Sequence, residues 1–295
     1  MKLLTRQQVD DVSHLEGKQL DETHYDVMVD GELTTVLKPD GSPLLIYVPE
    51  AIPRDECLAA FDILRKLNNP PTNRAVAVAG KSHRQIRRDG TKSKTIRLQN
   101  YEVAGISSAI IGYYDRYVRF PYCRQTAFNA DHPELFKKIE PFISHCDQTF
   151  SKHAPERYAA QRQAADNTSQ DFVIQNTAFS TVTVNKNWST LGHYDSGDFA
   201  DGMGVMSCLR AGRFSGGALV FPAYRVAVQM RTGGVCLADV HELHGNTKIV
   251  PYNTQPYERV SCVLYFRKNM MQCGTAEQEL DRAKNRKTGD KLYDD

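Results

Sequence analysis

Hydrophobic and polar positions along this chain switch between two periods. Thr181-Val182-Thr183-Val184 alternates strictly and predicts a strand. Val235 to Val240 (VCLADV) and Arg259 to Phe266 (RVSCVLYF) are further short apolar runs of strand character. Upstream the period lengthens. Pro53 to Leu67 places Cys57, Leu58, Phe61, Leu64 and Leu67 on one helical face. Asp55 and Glu56 come early and Arg65 and Lys66 late, which suits the helix dipole. Asn68 to Asn73 (NNPPTN) ends that helix. His132 to Ala165 is helical too, with Pro133 in its first turn and Phe136, Ile139, Phe142 and Ile143 on its apolar face; Pro141 and Pro155 should kink or break it. Val103 to Tyr117 also reads as a helix. Residues 1–50 hold two or three short strands, with turns at Val29-Asp30-Gly31 and Pro39-Asp40-Gly41-Ser42, that extend or cover the edges of a sheet.

From Phe172 onward, short strands are separated by turn signals at Ser196-Gly197, Ala211-Gly212 and Gly216-Gly217. This predicts an α+β fold whose core is a jelly-roll, cupin-like sheet sandwich (a double-stranded β-helix), buttressed by helices from the N-terminal half. One catalytic domain is expected over 1–270, with strands and supporting helices in 1–170 and the core in 171–270. The highly charged stretch from Thr275 to Asp295 reads as a surface helix or a disordered tail.

Composition narrows the picture. Apolar residues make up 41% of the chain, enough for a substantial core, while a net charge of +2 means that nucleic-acid affinity must come from local patches. Residues 81–97 are the strongest such patch, with Lys81, Arg84, Arg87, Arg88, Lys92, Lys94 and Arg97 against Asp89 alone. Most charge runs are solvated loops, but this concentration also suits phosphate contact. Seven cysteines without a CxxC pair predict reduced thiols in a cytosol-like compartment, and neither a zinc nor a disulfide framework. The N-terminus lacks the apolar core of a secretory signal, and no run approaches the length of a membrane span, so a cytoplasmic protein is expected. His145, Cys146 and His153 are expected to be structural.

The candidate chemistry gathers between residues 181 and 267. In extended chain, His193 and Asp195 point to one side and can offer an imidazole nitrogen and a carboxylate oxygen to one metal. A third ligand can come from His241 or His244, which follow the Val235 run. Two histidines and one carboxylate on one face of a metal form the facial triad of non-haem Fe(II) oxygenases. Arg259 and Ser261 share a strand face, where a guanidinium fork beside a hydroxyl suits a carboxylate. The bland alternative is a surface His-Asp pair, a loop histidine and a structural arginine.

At these residues the chain resembles the TET/JBP class of 2-oxoglutarate- and Fe(II)-dependent dioxygenases, particularly compact members from phages and large viruses. TVTVNKNW, HYDSGDF, GMGVMSCLRAG, FSGGALVFP, GGVCLADVHELHGN and ERVSCVLYFR carry the resemblance, with IIGYYDR and PYCRQTAF as thinner matches upstream. It implies His193, Asp195 and His244 as iron ligands, since His244 sits in the HGN motif, with His241 behind them or in the loop. It implies 2-oxoglutarate and O2 as co-substrates, with Arg259 and Ser261 holding the distal carboxylate. Arg124 is a candidate for the other carboxylate end or for substrate phosphate, beside a purely structural reading. The implied reaction is oxidation of a pyrimidine 5-methyl group in DNA, on a flipped or single-stranded base. 5-Methylcytosine is favoured and thymine is next.

By the same resemblance Asp198 occupies the place that reads the pyrimidine edge, beside a plain reading as a turn residue of SGDFADG. TET-like enzymes often carry Asn there; a carboxylate accepts from the cytosine amino group. Tyr265 and Arg267, on the face shared with Arg259, are expected to line the pocket or stack on the base, and Arg87, Arg88, Lys92 and Lys94 to contact DNA. Trp188 is expected in the core, and Asn246 to hold its loop through backbone hydrogen bonds. Two other readings stay open: a hydroxylase of a free nucleotide, amino acid or protein side chain using the same residues, and a non-enzymatic binding jelly roll.

Overall fold

The computed structural model describes residues 1–9, 11–69, 84–86, 92–96, 106–117, 120–252 and 256–286. Its largest sheet has nine strands. Three come from the N-terminus, β1 (Lys2–Thr5), β3 (Thr34–Leu37) and β4 (Pro43–Val48). The others are β7 (Ser107–Tyr114), β8 (Arg124–Gln125), β9 (Thr181–Lys186), β10 (Gly204–Ala211), β14 (Val235–Ala238) and β17 (Glu258–Tyr265). They lie side by side in the order β1-β3-β4-β14-β10-β17-β9-β7-β8. A four-stranded sheet, β15-β12-β13-β2, joins β2 (Val27–Val29), β12 (Leu219–Phe221), β13 (Val226–Val228) and β15 (Gly245–Asn246).

Side-chain alternation along the large sheet explains how it is covered on both faces. Val205 and Leu209 of β10, Val235 and Leu237 of β14 and Val260, Cys262 and Leu264 of β17 join one buried cluster with two helices. These are α1 (Arg54–Leu64), through Cys57, Ala60, Phe61 and Leu64, and α3 (Pro133–His153), through Phe136, Ile139, Phe142, Ile143, Cys146 and Phe150. Side chains as fully buried as Phe142 and Phe150 contribute about 1.5–3 kcal/mol each. The alternate residues Met206, Cys208, Cys236 and Ala238 pack instead with Leu219, Phe221, Val226 and Val228 of the small sheet. The helices therefore back one face of the large sheet, and the small sheet meets the other.

Three expectations change. The stretch expected to be a helix over Val103–Tyr117 is β7, paired antiparallel with β9 from Ser107↔Lys186 to Gly112↔Thr181; residues 103–105 lie outside the described part. Both of its faces are largely buried, so Ala109, Ile110 and Ile111 show no alternation to betray a strand. Pro141 does not interrupt α3. It stands on the exposed side, where the carbonyl it leaves unpaired can turn to water. The break comes at Ala154, where Pro155 opens α4 (Pro155–Asp166); a short α2 (Ala127–Asp131) precedes α3.

Cys123 and Cys273 form a disulfide, against the expectation of reduced thiols throughout; the other five cysteines are free and buried. The C-terminal α5 (Ala276–Asn285) begins with a Thr275–Gln278 capping box and sinks Glu279 beside that disulfide. Glu279 accepts from the Cys123 N–H (2.7 Å), the Gly274 N–H (2.8 Å) and the Arg116 guanidinium. Of the first fifty residues, β1, β3 and β4 extend the large sheet and β2 extends the small one, as edge strands were expected to do.

Candidate active site

Where the two sheets meet, a cavity of about 640 Å³ opens. Its wall on the large sheet is the face of β17 and β9 that the helices do not cover: Arg259, Ser261, Val263 and Tyr265, with Thr183 and Asn185. The opposite parity of the same strands points into the helical core, so one alternation builds both core and site.

His193 and Asp195 lie on the connection after β9, and His244 just before β15. The two histidines exchange backbone bonds, His193 N–H to His244 carbonyl at 2.8 Å and His244 N–H to His193 carbonyl at 3.0 Å. That pairing sets the rings 4.4 Å apart. Each Nδ1 meets a carbonyl two residues earlier, Leu191 at 2.7 Å for His193 and Glu242 at 2.9 Å for His244. A carbonyl only accepts, so both Nδ1 atoms carry the proton and both Nε2 atoms keep a lone pair. These lone-pair nitrogens converge on Asp195, His193 Nε2 at 3.8 Å from Oδ1 and His244 Nε2 at 3.6 Å from Oδ2. One ligand atom from each of the three lies within 4.8 Å of the others. Burial of His244 works against its cationic form, but the Asp195 carboxylate, the Glu242 carbonyl and Asp239 together raise the imidazole above its usual value. A field that favours positive charge at this point also suits a divalent cation, and the donor set fits Fe(II).

Deeper in the pocket, Arg259 is 2% exposed. Its Nη1 donates to Ser261 Oγ at 3.0 Å and its Nη2 to the Gly217 carbonyl at 3.1 Å. Gly217 adopts φ +69°, and a Cβ there would stand 3.0 Å from Arg259 Nε, so only glycine leaves the fork in place. Among the described residues no carboxylate pairs with this guanidinium. A buried cation on a pocket wall calls for an anionic ligand. The distal carboxylate of 2-oxoglutarate meets that requirement.

The remaining predicted residues divide. Asp198 (8% exposed), Tyr265 and Arg267 line the pocket. Tyr265 Oη lies 3.1 Å from Thr183 Oγ1, and Arg267 Nε donates to Asp115 at 3.0 Å. Burial opposes the Arg267 charge, yet Asp115 and Asp198 raise its affinity for the proton. Arg124 does not line the pocket. It packs against the rings of Tyr114, Phe120 and Tyr122, its charge weakened by burial, so the geometry supports the structural reading over the carboxylate-binding one. Arg87 and Arg88 lie outside the described residues. Lys92 and Lys94 fall in β6 (Lys92–Ile96), which pairs with β5 (Arg84–Ile86).

His241 lines the pocket with Nε2 3.4 Å from the Asp198 carbonyl, behind the three converging side chains. The Asn246 amide accepts from Thr190 Oγ1 (2.9 Å) and donates to the Gly217 carbonyl at 3.4 Å. Trp188 is 7% exposed and borders the cavity. Glu16 also borders it and was not foreseen, because nothing in the local pattern of residues 11–20 points across the molecule. Neither did the sequence single out Lys38, whose ammonium bonds Asp239 (2.6 Å) and Glu242 (2.9 Å) and so braces the turn that leads to His244. Among the described residues no helix is long and apolar enough to cross a membrane.

A metal triad at the mouth and a buried arginine behind it, between a helix-backed sheet and a smaller one, define an Fe(II)- and 2-oxoglutarate-dependent oxygenase. Comparison with known proteins agrees. Residues 109–268 match the Tet_JBP model, the oxygenase domain of the 2OGFeDO superfamily, and the chain belongs to that family. It is 32% identical over 243 residues to the bifunctional helicase and thymine dioxygenase JBP2 of Leishmania braziliensis, covering 81% of this chain and 19% of that protein. It is 29% identical over 267 residues to thymine dioxygenase JBP1 of Trypanosoma brucei brucei, covering 89% and 28%. This chain thus spans a fifth to a quarter or so of these curated relatives. Among solved structures, NgTET1 in complex with 5mC DNA superposes with a TM-score of 0.56 at 13% identity, over 90% of this chain and 92% of that one, which is a likeness of fold.

Proposed function

We propose that this protein oxidises the 5-methyl group of a pyrimidine in DNA, within one catalytic domain over 1–270 whose two facing sheets form the jelly roll, the double-stranded β-helix. The observation that carries the reading is the placement of His193, Asp195 and His244 beside Asp198, Tyr265 and Arg267 in one cavity, with Arg259 behind them. His193, Asp195 and His244 would hold the iron, and Arg259 with Ser261 would hold the 2-oxoglutarate. When bound, these supply the oxidising power, with succinate and CO2 as by-products.

The chain's own residues do the rest. The Leu191 and Glu242 carbonyls fix the tautomers of the metal-binding rings. Asp198 and Arg267 offer an acceptor and a donor to a base edge. Val263, Met206 and Leu219 keep the adjoining wall apolar and so limit water. A methyl group inside a stacked duplex cannot reach this cavity, so the base must be flipped out or unpaired.

Asp198 as an ionised acceptor suits the N4 amino group of 5-methylcytosine. The names of the curated relatives favour thymine instead. Incubation with Fe(II), 2-oxoglutarate and ascorbate on DNA holding both bases, followed by nucleoside mass spectrometry, tests the proposal. A gain of one oxygen on either nucleoside supports it and names the base. Succinate release with both nucleosides intact refutes the DNA reading in favour of a free nucleotide, amino acid or protein substrate.

A further inference from the structure

The segment Leu15–Leu20 precedes the family-matched 109–268, yet it touches both segments that carry the metal-binding side chains. Against the first, the Gly17 N–H donates to the Gly192 carbonyl at 2.7 Å and the Gly192 N–H donates to the Lys18 carbonyl at 2.8 Å. Gly192 immediately precedes His193. Against the second, Leu20 bridges Thr247 and the Gln19 amide donates to the Asn246 carbonyl at 2.5 Å. Below the segment, Leu15 and Leu20 are buried with Leu243, Ala218, Val220 and Ala227, and Leu243 immediately precedes His244.

The approach is close enough to dictate residue types. A Cβ on Gly192 would fall 2.6 Å from the Leu15 carbonyl oxygen. A Cβ on Gly245 would fall 3.0 Å from the Gly192 nitrogen and from the Leu191 carbonyl group. Three backbones therefore stack at van der Waals distance, with the N-terminal segment outermost. The Leu191 carbonyl in this stack is the one that sets the His193 ring. Glu16, in the same segment, borders the cavity.

We propose that residues 15–20 are a positioning strap for the metal centre. By fixing the Leu191–Gly192 peptide and the Asn246–Thr247 backbone together, the strap holds the His193 and His244 rings at the spacing one divalent ion requires. Gly17, Gly192 and Leu15 are its positioning residues. The inference rests on the metal-binding reading of His193, Asp195 and His244.

The test uses the full chain and Co(II), whose ligand-field absorption reports ligand geometry without turnover. Gly192→Ala forces the strap off the first ligand segment. Leu15→Ala removes an anchor without changing any residue of either ligand segment. Both should bind Co(II) at least about tenfold more weakly, the effect typical of losing groups that orient metal ligands, and with altered absorption. Apo-protein circular dichroism should stay close to wild type for Leu15→Ala, with a lowered melting temperature from the truncated buried side chain. Wild-type affinity and spectrum in the folded variants overturn the proposal. If Gly192→Ala does not fold, Leu15→Ala decides by the same criterion. Failure of the wild-type chain to bind Co(II) overturns the metal reading itself and the strap with it, a result distinguishable from a loss confined to the variants.

Discussion

Replacing Arg259 by lysine keeps the charge and discards the fork, which makes it a sharper probe than removal. In the native site two N–H groups are engaged, with Ser261 Oγ at 3.0 Å and the Gly217 carbonyl at 3.1 Å. They hold the guanidinium plane so that its remaining N–H groups are available to a carboxylate in two parallel bonds. A lysine ammonium can keep one contact as a point charge. The loss is then about one charge-assisted hydrogen bond, roughly 1.5–3 kcal/mol, which is about 10- to 150-fold in affinity. Calorimetric titration of 2-oxoglutarate into the Mn(II)-loaded protein reads this directly, with a thermal melt to show that the variant is folded. The Kd for Mn(II) itself should not move. A 2-oxoglutarate Kd within threefold of wild type would refute the assignment of Arg259 as the carboxylate anchor.

Asp195→Ala should abolish both divalent-metal binding and succinate release; retained turnover would dismiss Asp195 as a ligand. Asp198→Asn, which replaces a charged acceptor with an amide that both accepts and donates, should shift the ratio of 5-methylcytosine to thymine oxidation by about 10-fold, and an unchanged ratio would show that Asp198 does not read the base. Glu279→Gln, which removes the carboxylate charge paired with buried Arg116, should destabilise the fold by about 3 kcal/mol in denaturant titrations. Burial works against the Glu279 charge, but Arg116 and the Gly274 and Cys123 N–H groups hold its carboxyl below the usual glutamate range. A depressed folded-state value means that the stabilisation is complete above the unfolded value of about 4.3 and disappears as pH falls through the lower folded one. The stability gap between wild type and Glu279→Gln should therefore be constant near neutrality and close only in acid. A gap that persists at the lowest pH would contradict the pairing.

Much of the site was legible because its residues lie on strands with one parity in the core and the other in the cavity. Arg259, Ser261 and Tyr265 alternate with Val260, Cys262 and Leu264, and that pattern alone places the arginine beside the hydroxyl. His193 and Asp195 were legible because they stand two residues apart in one short stretch of the connection after β9. β7 was misread because burial of both its faces erases the alternation. The Cys123–Cys273 pairing was illegible because it joins residues 150 positions apart, and a count of cysteines without spacing motifs holds no trace of it. For Arg124 both a carboxylate-binding and a structural reading stood open, and the rings of Phe120 and Tyr122, its neighbours in the sequence, pack against its guanidinium. The strap escaped notice because its effect is carried by backbone groups, which every residue possesses.

The pairing of β4 with β14, from Val48↔Val235 to Leu45↔Ala238, bears on how the protein comes into being. On a ribosome β1, β3 and β4 emerge long before β14 and the other inner strands they must join, which lie far downstream in the sequence. Until then Leu44, Leu45 and Tyr47, all fully buried in the end, have no partner surface from β14. Closing so long a loop is entropically slow and leaves an apolar edge exposed while synthesis continues. Assembly of the large sheet, and with it the metal centre, is therefore a late event that follows translation of β17. A nascent chain halted before residue 258 should remain sensitive to protease and prone to self-association, however well α1 and α3 have formed.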